Sequence, residues 1–133
     1  MNGNRRTIDI RSQQGQSLTE FALALPVLAL LLFAVIQFGI AFNNYVTLTD
    51  ATRAGARKAA IGRQLTDPVG SCQTAIRSSA ANLNQPDLAP TCVSTWQPGA
   101  DVTVTATYPY SISLLGLVVK SGRLSSKTTE RVE

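Results

Sequence analysis

The sequence predicts an α+β protein: a long N-terminal helix, half transmembrane and half outside the membrane, and then a small domain with a second helix and a short antiparallel sheet. The helix is predicted because residues 21–42 contain no charged side chain. At 1.5 Å per residue such a helix is about 33 Å long, enough to cross a hydrocarbon core of about 30 Å. The sheet is predicted because apolar residues alternate strictly with threonine over residues 102–108, the pattern of a half-buried antiparallel strand.

The chain of 133 residues divides into three predicted parts. Residues 1–15 are a polar, basic leader without an apolar pattern, expected to be a disordered or cytoplasmic tail. Residues 16–62 form the long helix, with its transmembrane part at 21–42. Residues 63–133 form one small α+β domain, since about 90 residues after the span cannot support two cores.

The helix is expected to start near Gln16 or Ser17. Ser17 followed three residues later by Glu20 is a capping-box pattern, which would make Glu20 an N-terminal cap at the edge of the span. Pro26 removes one backbone hydrogen bond and is expected to kink the helix, a defect that membrane helices tolerate.

Beyond the span the helix is expected to continue to a stop at Gly62. Ala51, Gly55, Ala59 and Gly62 fall on one stripe of that stretch. Small residues there let another backbone approach closely, so the stripe is either a packing face or only a consequence of the helix propensity of alanine.

The remaining predicted elements are short. They are a helix over residues 71–83, a strand over 91–96, a turn at 98–101, a strand over 102–108 and a last strand within 123–132. The apolar residues Leu114, Leu115, Leu117, Val118 and Val119 are too few to span a bilayer. They form either core or an exposed patch, and the core is favoured.

Two cysteines, Cys72 and Cys92, lie after the span. If that side is extracytoplasmic, we expect a disulfide, which would stabilise the small domain by about 3 kcal/mol. The alternative is two unrelated buried thiols.

The composition argues against several classes of function. The chain has no histidine, no glycine-rich phosphate loop and no paired carboxylates at useful spacing. We therefore expect that the protein is not an enzyme and that it binds no metal, cofactor or small-molecule substrate. Without residues 1–15 the chain has nine basic and seven acidic residues, a net charge of +2. No basic run is interleaved with aromatics, so no nucleic-acid partner is expected.

A leader that ends in glycine, a glutamate five positions later and an apolar helix resemble type IV pilin-like precursors. Here these features are Gly15, Glu20 and residues 21–42. Together with Gln37-Phe38-Gly39 and the stretch Asp50 to Arg57, the sequence resembles the TadE-like family, pilin-like proteins of tight-adherence (Flp) pilus systems. The resemblance covers about residues 15–62.

The resemblance implies that a membrane prepilin peptidase cuts between Gly15 and Gln16. In a filament, Glu20 of one subunit would neutralise the new amine on Gln16 of its neighbour. The implied partners are the peptidase, other pilin-like subunits, the pilus assembly platform and the membrane. Residues with an expected part in assembly or helix packing are Glu20, Phe21, Pro26, Ala51, Gly55 and Ala59.

The resemblance also implies a single-pass protein of the inner membrane, with a cytoplasmic leader and an extracytoplasmic C-terminal domain, and possible incorporation into an extracellular pilus. The positive-inside rule does not decide the orientation, because Arg53, Arg57, Lys58 and Arg63 closely follow the span. The mature chain would have 118 residues, whereas the major pilins of such systems are generally much shorter. An accessory role, that of a minor pilin or pseudopilin, is therefore favoured over that of the bulk filament subunit.

Two other hypotheses are open. The chain could be an uncut single-pass membrane protein whose outer domain binds another envelope component. It could instead be secreted after cleavage at Gly39-Ile40-Ala41, although the apolar run before that site is longer than a usual signal core. The three hypotheses predict Gln16, Met1 and Phe42, respectively, as the first residue of the mature protein.

Overall fold

The computed structural model describes residues 10–114 and 116–133, with side chains from Gly15 onward. The chain is α+β, as predicted, with a long N-terminal helix, a second helix and a three-stranded antiparallel sheet. The elements are α1 (Ile10–Ala60), a short 3-10 helix (Gly62–Gln64), α2 (Pro68–Ser79), β1 (Ala89–Val93), β2 (Asp101–Leu114) and β3 (Leu117–Arg131). The chain falls into two compact units, divided between Ile36 and Gln37.

The first unit consists of the N-terminal part of α1. In the described chain, α1 is the one helix that is long and apolar enough to cross a membrane, over Gly15–Ala60. Its apolar side chains are exposed, as expected of a surface that lipid or other helices cover. Pro26 lies inside the helix.

The observed start of α1 differs from the predicted one. The helix begins at Ile10 and runs without interruption past Gln16 and Ser17. Ser17 therefore lies inside the helix, so it does not cap the helix in the uncut chain. The prediction failed because residues 10–15 contain no glycine or proline before Gly15, and a helix can extend through such a polar segment. The predicted boundary between leader and mature chain stays a prediction.

In the second unit, hydrogen bonds define the ends of the helices. At the end of α1, Ala60 accepts a hydrogen bond on its carbonyl from the backbone N–H of Glu133, 2.9 Å away. Asp67 caps α2, since its Oδ1 accepts from the Gly70 N–H at 2.9 Å, and Pro68 occupies the first turn. The second helix thus begins and ends a few residues earlier than the predicted range 71–83.

The sheet has the strand order β1-β2-β3, and both pairings are antiparallel. Cys92 of β1 pairs with Val104 of β2, which pairs with Thr128 of β3. Val102, Val104 and Ala106 are buried, which confirms the alternation predicted from the sequence. The predicted turn before β2 is present, closed by a hydrogen bond from the Ala100 N–H to the Gln97 carbonyl.

The core of the second unit forms where α1, α2 and the sheet meet. Buried at its centre are Leu48, Ala51, Ala59, Ile76, Leu88, Val102, Val104 and Val132. Thr52 is also fully buried, and its Oγ1 lies 3.0 Å from Oγ of Ser126 on β3. This hydrogen bond satisfies both hydroxyls and ties α1 to the edge of the sheet.

The apolar cluster between β2 and β3 is exposed, so the predicted core position was wrong. Leu117, Val118 and Val119 are 74%, 65% and 63% exposed and Leu114 is partly buried, while Leu115 lies outside the described residues. The reason is the length of β1, which pairs with β2 only as far as Thr107. Beyond that point the hairpin is a two-stranded ribbon, and the described residues of the groove beside α1 extend along β2 only as far as Ile112.

Candidate functional site

The predicted cleavage junction lies on the exposed surface of α1. Gly15 is exposed, and a Cβ built on it would have no heavy atom within 4 Å. The hydroxyl of Thr19 donates to the Gly15 carbonyl at 2.9 Å. The peptide bond between Gly15 and Gln16 is therefore accessible and is held in a helical conformation.

Glu20 lies one helical turn after Gln16. The side-chain amide of Gln16 donates to Oε1 of Glu20 at 3.2 Å, and both residues are exposed. The spacing of four residues places the carboxylate on the same helix face as the position where cleavage would create an amine. Gln16 and Glu20 thus lie on one face of α1, and Gly15 directly precedes Gln16. The parts predicted for these residues in processing and assembly stay predictions.

A continuous, uncharged and exposed apolar stretch of α1 follows Glu20. Phe21 and Pro26 belong to it, and both are exposed. The larger exposed apolar residues of this helix include Leu23, Leu25, Leu28, Leu31, Leu32, Phe33, Ile36, Phe38, Ile40 and Phe42. Water is a poor environment for a continuous surface of this kind, which fits a membrane or a bundle of similar helices.

The stripe of small residues on α1, unlike the apolar surface that precedes it, is buried in the second unit. Ala51, Gly55 and Ala59 are all buried. A Cβ on Gly55 would collide with Cγ1 of Ile76 on α2 and lie 2.9 Å from its Cδ1. The stripe is therefore a packing face, occupied by the chain's own domain, and it is not open to a neighbouring subunit.

The two cysteines form a disulfide that joins α2 to β1. Cys72 is fully buried and Cys92 nearly so, with their Cα atoms 6.5 Å apart. The bridge fastens the second helix to the strand that pairs with the centre of the sheet. Of the two alternatives left open by the sequence, the structure has the bridge.

The basic residues after the span are exposed. Arg53 lies 3.5 Å from the carboxylate of Asp50, one turn earlier, and Arg57, Lys58 and Arg63 are also at the surface. Over the described part of the chain, no group of three or more acidic, cysteine or histidine side chains could hold a metal ion.

A groove that was not predicted from the sequence lies between α1 and the β2–β3 hairpin. Its volume is about 340 Å³, and its lining is aromatic and aliphatic apart from one lysine. The lining residues are Phe38, Ala41, Phe42, Tyr45, Tyr110, Ile112, Lys120 and Leu124. A signal was present in the sequence, because the alternation that starts at Val102 continues through Tyr110, Ile112 and Leu114.

Comparison with known families gives one match: the model of the family described as TadE-like protein matches residues 15–57. Comparison with curated proteins and with solved structures found no match. The family match confirms the resemblance seen in the sequence, over the junction, the apolar helix surface and the start of the buried face. The match and the single apolar N-terminal helix fit a single-pass, pilin-like membrane protein.

Proposed function

We propose that this chain is a structural pilin-like subunit, a minor pilin or pseudopilin that takes part in assembling a tight-adherence pilus. One observation carries the proposal: the matched segment 15–57 combines an accessible glycine junction, Glu20 one turn later and an exposed apolar helix. Each feature has a separate use in a pilin-like protein, respectively processing, subunit pairing and helix packing in the membrane or filament.

The proposed processing step is cleavage between Gly15 and Gln16 by a prepilin peptidase. Proteolysis requires the helix to open locally at the bond that is cut. Glycine within a helix reduces its stability by about 1 kcal/mol relative to alanine, and among the described residues no heavy atom lies within 4 Å of a Cβ built on Gly15. The junction is therefore a weak point of α1 that an enzyme at the membrane surface could unwind.

Cleavage would change the surroundings of Glu20. In the uncut chain, Ser17 lies within α1 and cannot cap it. After the cut the chain would start at Gln16, so Ser17 could cap the helix and Glu20 would lie in its first turn, where the helix dipole favours a carboxylate. The new amine on Gln16 would then be available to Glu20 of a neighbouring subunit.

The disulfide supports the proposed orientation in the inner membrane. Disulfides persist in oxidising compartments and are rare in the cytoplasm. Because Cys72 and Cys92 lie in the domain after the span and are bridged, that domain is expected outside the cytoplasm and the leader inside. The residues that follow the span give no such preference by charge.

One observation favours the alternative of an uncut single-pass membrane protein. Helix α1 runs from Ile10 through the junction without a break, as it would if residues 10–15 were a permanent part of it. In that case the outer domain would bind another envelope component.

Intact-mass spectrometry of the chain extracted from its native membrane tests the proposal. The mature mass should lack residues 1–15 and should show the Cys72–Cys92 bridge as the loss of two hydrogens. A precursor of full mass in cells that contain the peptidase would overturn the processing model. Cross-linking of the mature chain to other pilin-like subunits would then test assembly.

A further inference from the structure

We propose that the hairpin tip, defined as Leu114 and residues 116–119 between β2 and β3, lies in the outer interface of the lipid bilayer beside α1. The proposal rests on the membrane span of the proposed function. It adds a second membrane contact, made by the folded domain itself.

Most of the apolar side chains of the hairpin tip are exposed. Leu117, Val118 and Val119 are consecutive apolar residues, and each is more than half exposed. Val119 has no partner on β2, because the register shifts between Ile112 and Ser113. An uncovered apolar hairpin end is an aggregation hazard in water, so these side chains need a covering surface.

The direction of β2 relative to α1 determines where the hairpin tip lies. Val104 of β2 lies next to Gly55 of α1, whereas Tyr110 and Ile112 share a groove with Phe38 and Tyr45. Strand β2 therefore runs beside α1 in the direction of falling α1 residue number. The strand continues for two residues beyond Ile112, about 7 Å further in that direction.

This position coincides with the predicted outer boundary of the membrane. Residues 37–42 are the last part of the predicted span and belong to the same compact unit as the hairpin. Tyr45 and Tyr110 line the groove near that boundary, the level at which aromatic side chains are enriched in membrane proteins. The hairpin tip thus reaches lipid whenever α1 spans the bilayer.

The first charged residues that follow the hairpin tip are basic. Between Asp101 and Glu130 the chain has no acidic residue, but it has Lys120, Arg123 and Lys127. Lys120 is exposed directly after the apolar tip, and Arg123, which is also exposed, follows three residues later on the other face of the strand. A basic rim beside an apolar end complements anionic lipid headgroups, with the lysine stem along the apolar surface and its ammonium group in water.

Lipid is favoured over a second copy of the chain as the occupant. A second copy would have to present a complementary apolar surface at the same depth in the membrane. Lipid is present at that depth without any further association, and the basic residues around the tip fit its headgroups.

Tryptophan fluorescence in vesicles tests the proposal. The full chain, with its single native Trp96, is reconstituted in phosphatidylethanolamine and phosphatidylglycerol whose acyl chains are brominated close to the headgroup. The test variant is Val118→Trp. The matched control is Lys127→Trp, at an exposed position of β3 away from the tip. Phe33→Trp lies near the middle of the span and reports on it in vesicles whose lipids are brominated near the ends of the acyl chains. The signal of the unsubstituted chain gives the contribution of Trp96.

The expected result is that bromine quenches Val118→Trp at least about twice as strongly as Lys127→Trp, because an interfacial segment lies ~5–10 Å into the headgroup and acyl boundary. The difference should shrink when Lys120→Gln and Arg123→Gln are added. Circular dichroism and the Cys72–Cys92 bridge verify that each variant is folded.

Equal quenching of Val118→Trp and Lys127→Trp, with Phe33→Trp quenched, would overturn the tip contact and leave the span intact. An emission shift at position 118 that depends on protein concentration and not on bromine would assign the tip to a second copy, and would also overturn it. An unquenched Phe33→Trp would overturn the span itself, and the tip contact with it.

Discussion

Gly15 and Gly55 are glycines for different physical reasons. A Cβ on Gly55 would collide with Ile76, so the fold of this chain explains that glycine. A Cβ on Gly15 would meet nothing within 4 Å, and the same holds for Gly39 in the same helix. The fold does not require glycine at position 15, and a requirement there would come from another molecule.

Gly15→Val should block removal of the leader, because a branched side chain would obstruct close approach of the backbone to a peptidase site. The precursor, heavier by residues 1–15, should accumulate on a gel, and Gly15→Ala should be cut less well than the unsubstituted chain. Gly39→Val is the matched control, since it adds the same side chain at an equally open position. Normal processing of Gly15→Val would contradict the peptidase model.

Glu20→Gln should leave cleavage and membrane insertion unchanged and should reduce cross-linking to other pilin-like subunits. The substitution keeps the size of the side chain but removes the charge that would neutralise the Gln16 amine of a neighbour. Asp50→Asn is the matched control, because it removes an exposed carboxylate at the other end of the uncharged stretch. If Glu20→Gln assembles like the control, Glu20 has only a role within its own helix.

Gly55→Ala should reduce the free energy of unfolding of the second unit by about 1–3 kcal/mol, although alanine favours helix, because the added methyl overpacks against Ile76. Chemical denaturation in detergent measures the change. In an Ile76→Ala background the space beside Gly55 is open, so Gly55→Ala should change the free energy of unfolding only slightly. Equal losses in both backgrounds would show that the contact with Ile76 is not the cause.

Among the elements, those that the sequence predicted well have a strong local pattern. The alternation at Val102, Val104 and Ala106 identified the buried face of β2, and the uncharged run identified the apolar part of α1. The end of the hairpin was misplaced because burial there depends on the length of β1, which local pattern does not contain. Pro109 gave a usable signal, since proline avoids central strands, and it lies beyond Thr107, where β2 has lost its β1 partner.

The disulfide between α2 and β1 is expected to stabilise the second unit. Replacing both Cys72 and Cys92 by serine should reduce the free energy of unfolding by about 3 kcal/mol, because the bridge closes a loop with a sequence separation of 20. The unsubstituted chain, unfolded in the presence of a reductant, should show the same loss, and the serine variant should not respond to the reductant. Unfolding of the serine variant at the unchanged denaturant concentration would contradict the prediction.

For the whole molecule, the division into units follows the environment of each part. In its described residues the unit up to Ile36 exposes apolar side chains and contributes none of the buried core residues, whereas the unit from Gln37 contains the core, the disulfide and the groove. The candidate site is distributed in the same way, with the junction on the first unit and the covalent bridge on the second. The sequence predicted the bridge from its two cysteines after the span, and the junction stays a prediction. The sequence could not show that Ala51, Gly55 and Ala59 are buried against the chain's own domain.

The orientation proposed for the chain can be measured. With both cysteines replaced by serine, a Thr95→Cys variant should react with a membrane-impermeant maleimide on intact spheroplasts, because position 95 is exposed in the domain after the span. An Asn4→Cys variant, kept uncut by Gly15→Val, should react only after lysis, because the leader is expected in the cytoplasm. Both variants carry Gly15→Val and the two serine replacements, so they differ only in the labelled position. Labelling of Asn4→Cys before lysis, with Thr95→Cys protected, would reverse the orientation and would remove the oxidising compartment that the Cys72–Cys92 bridge requires.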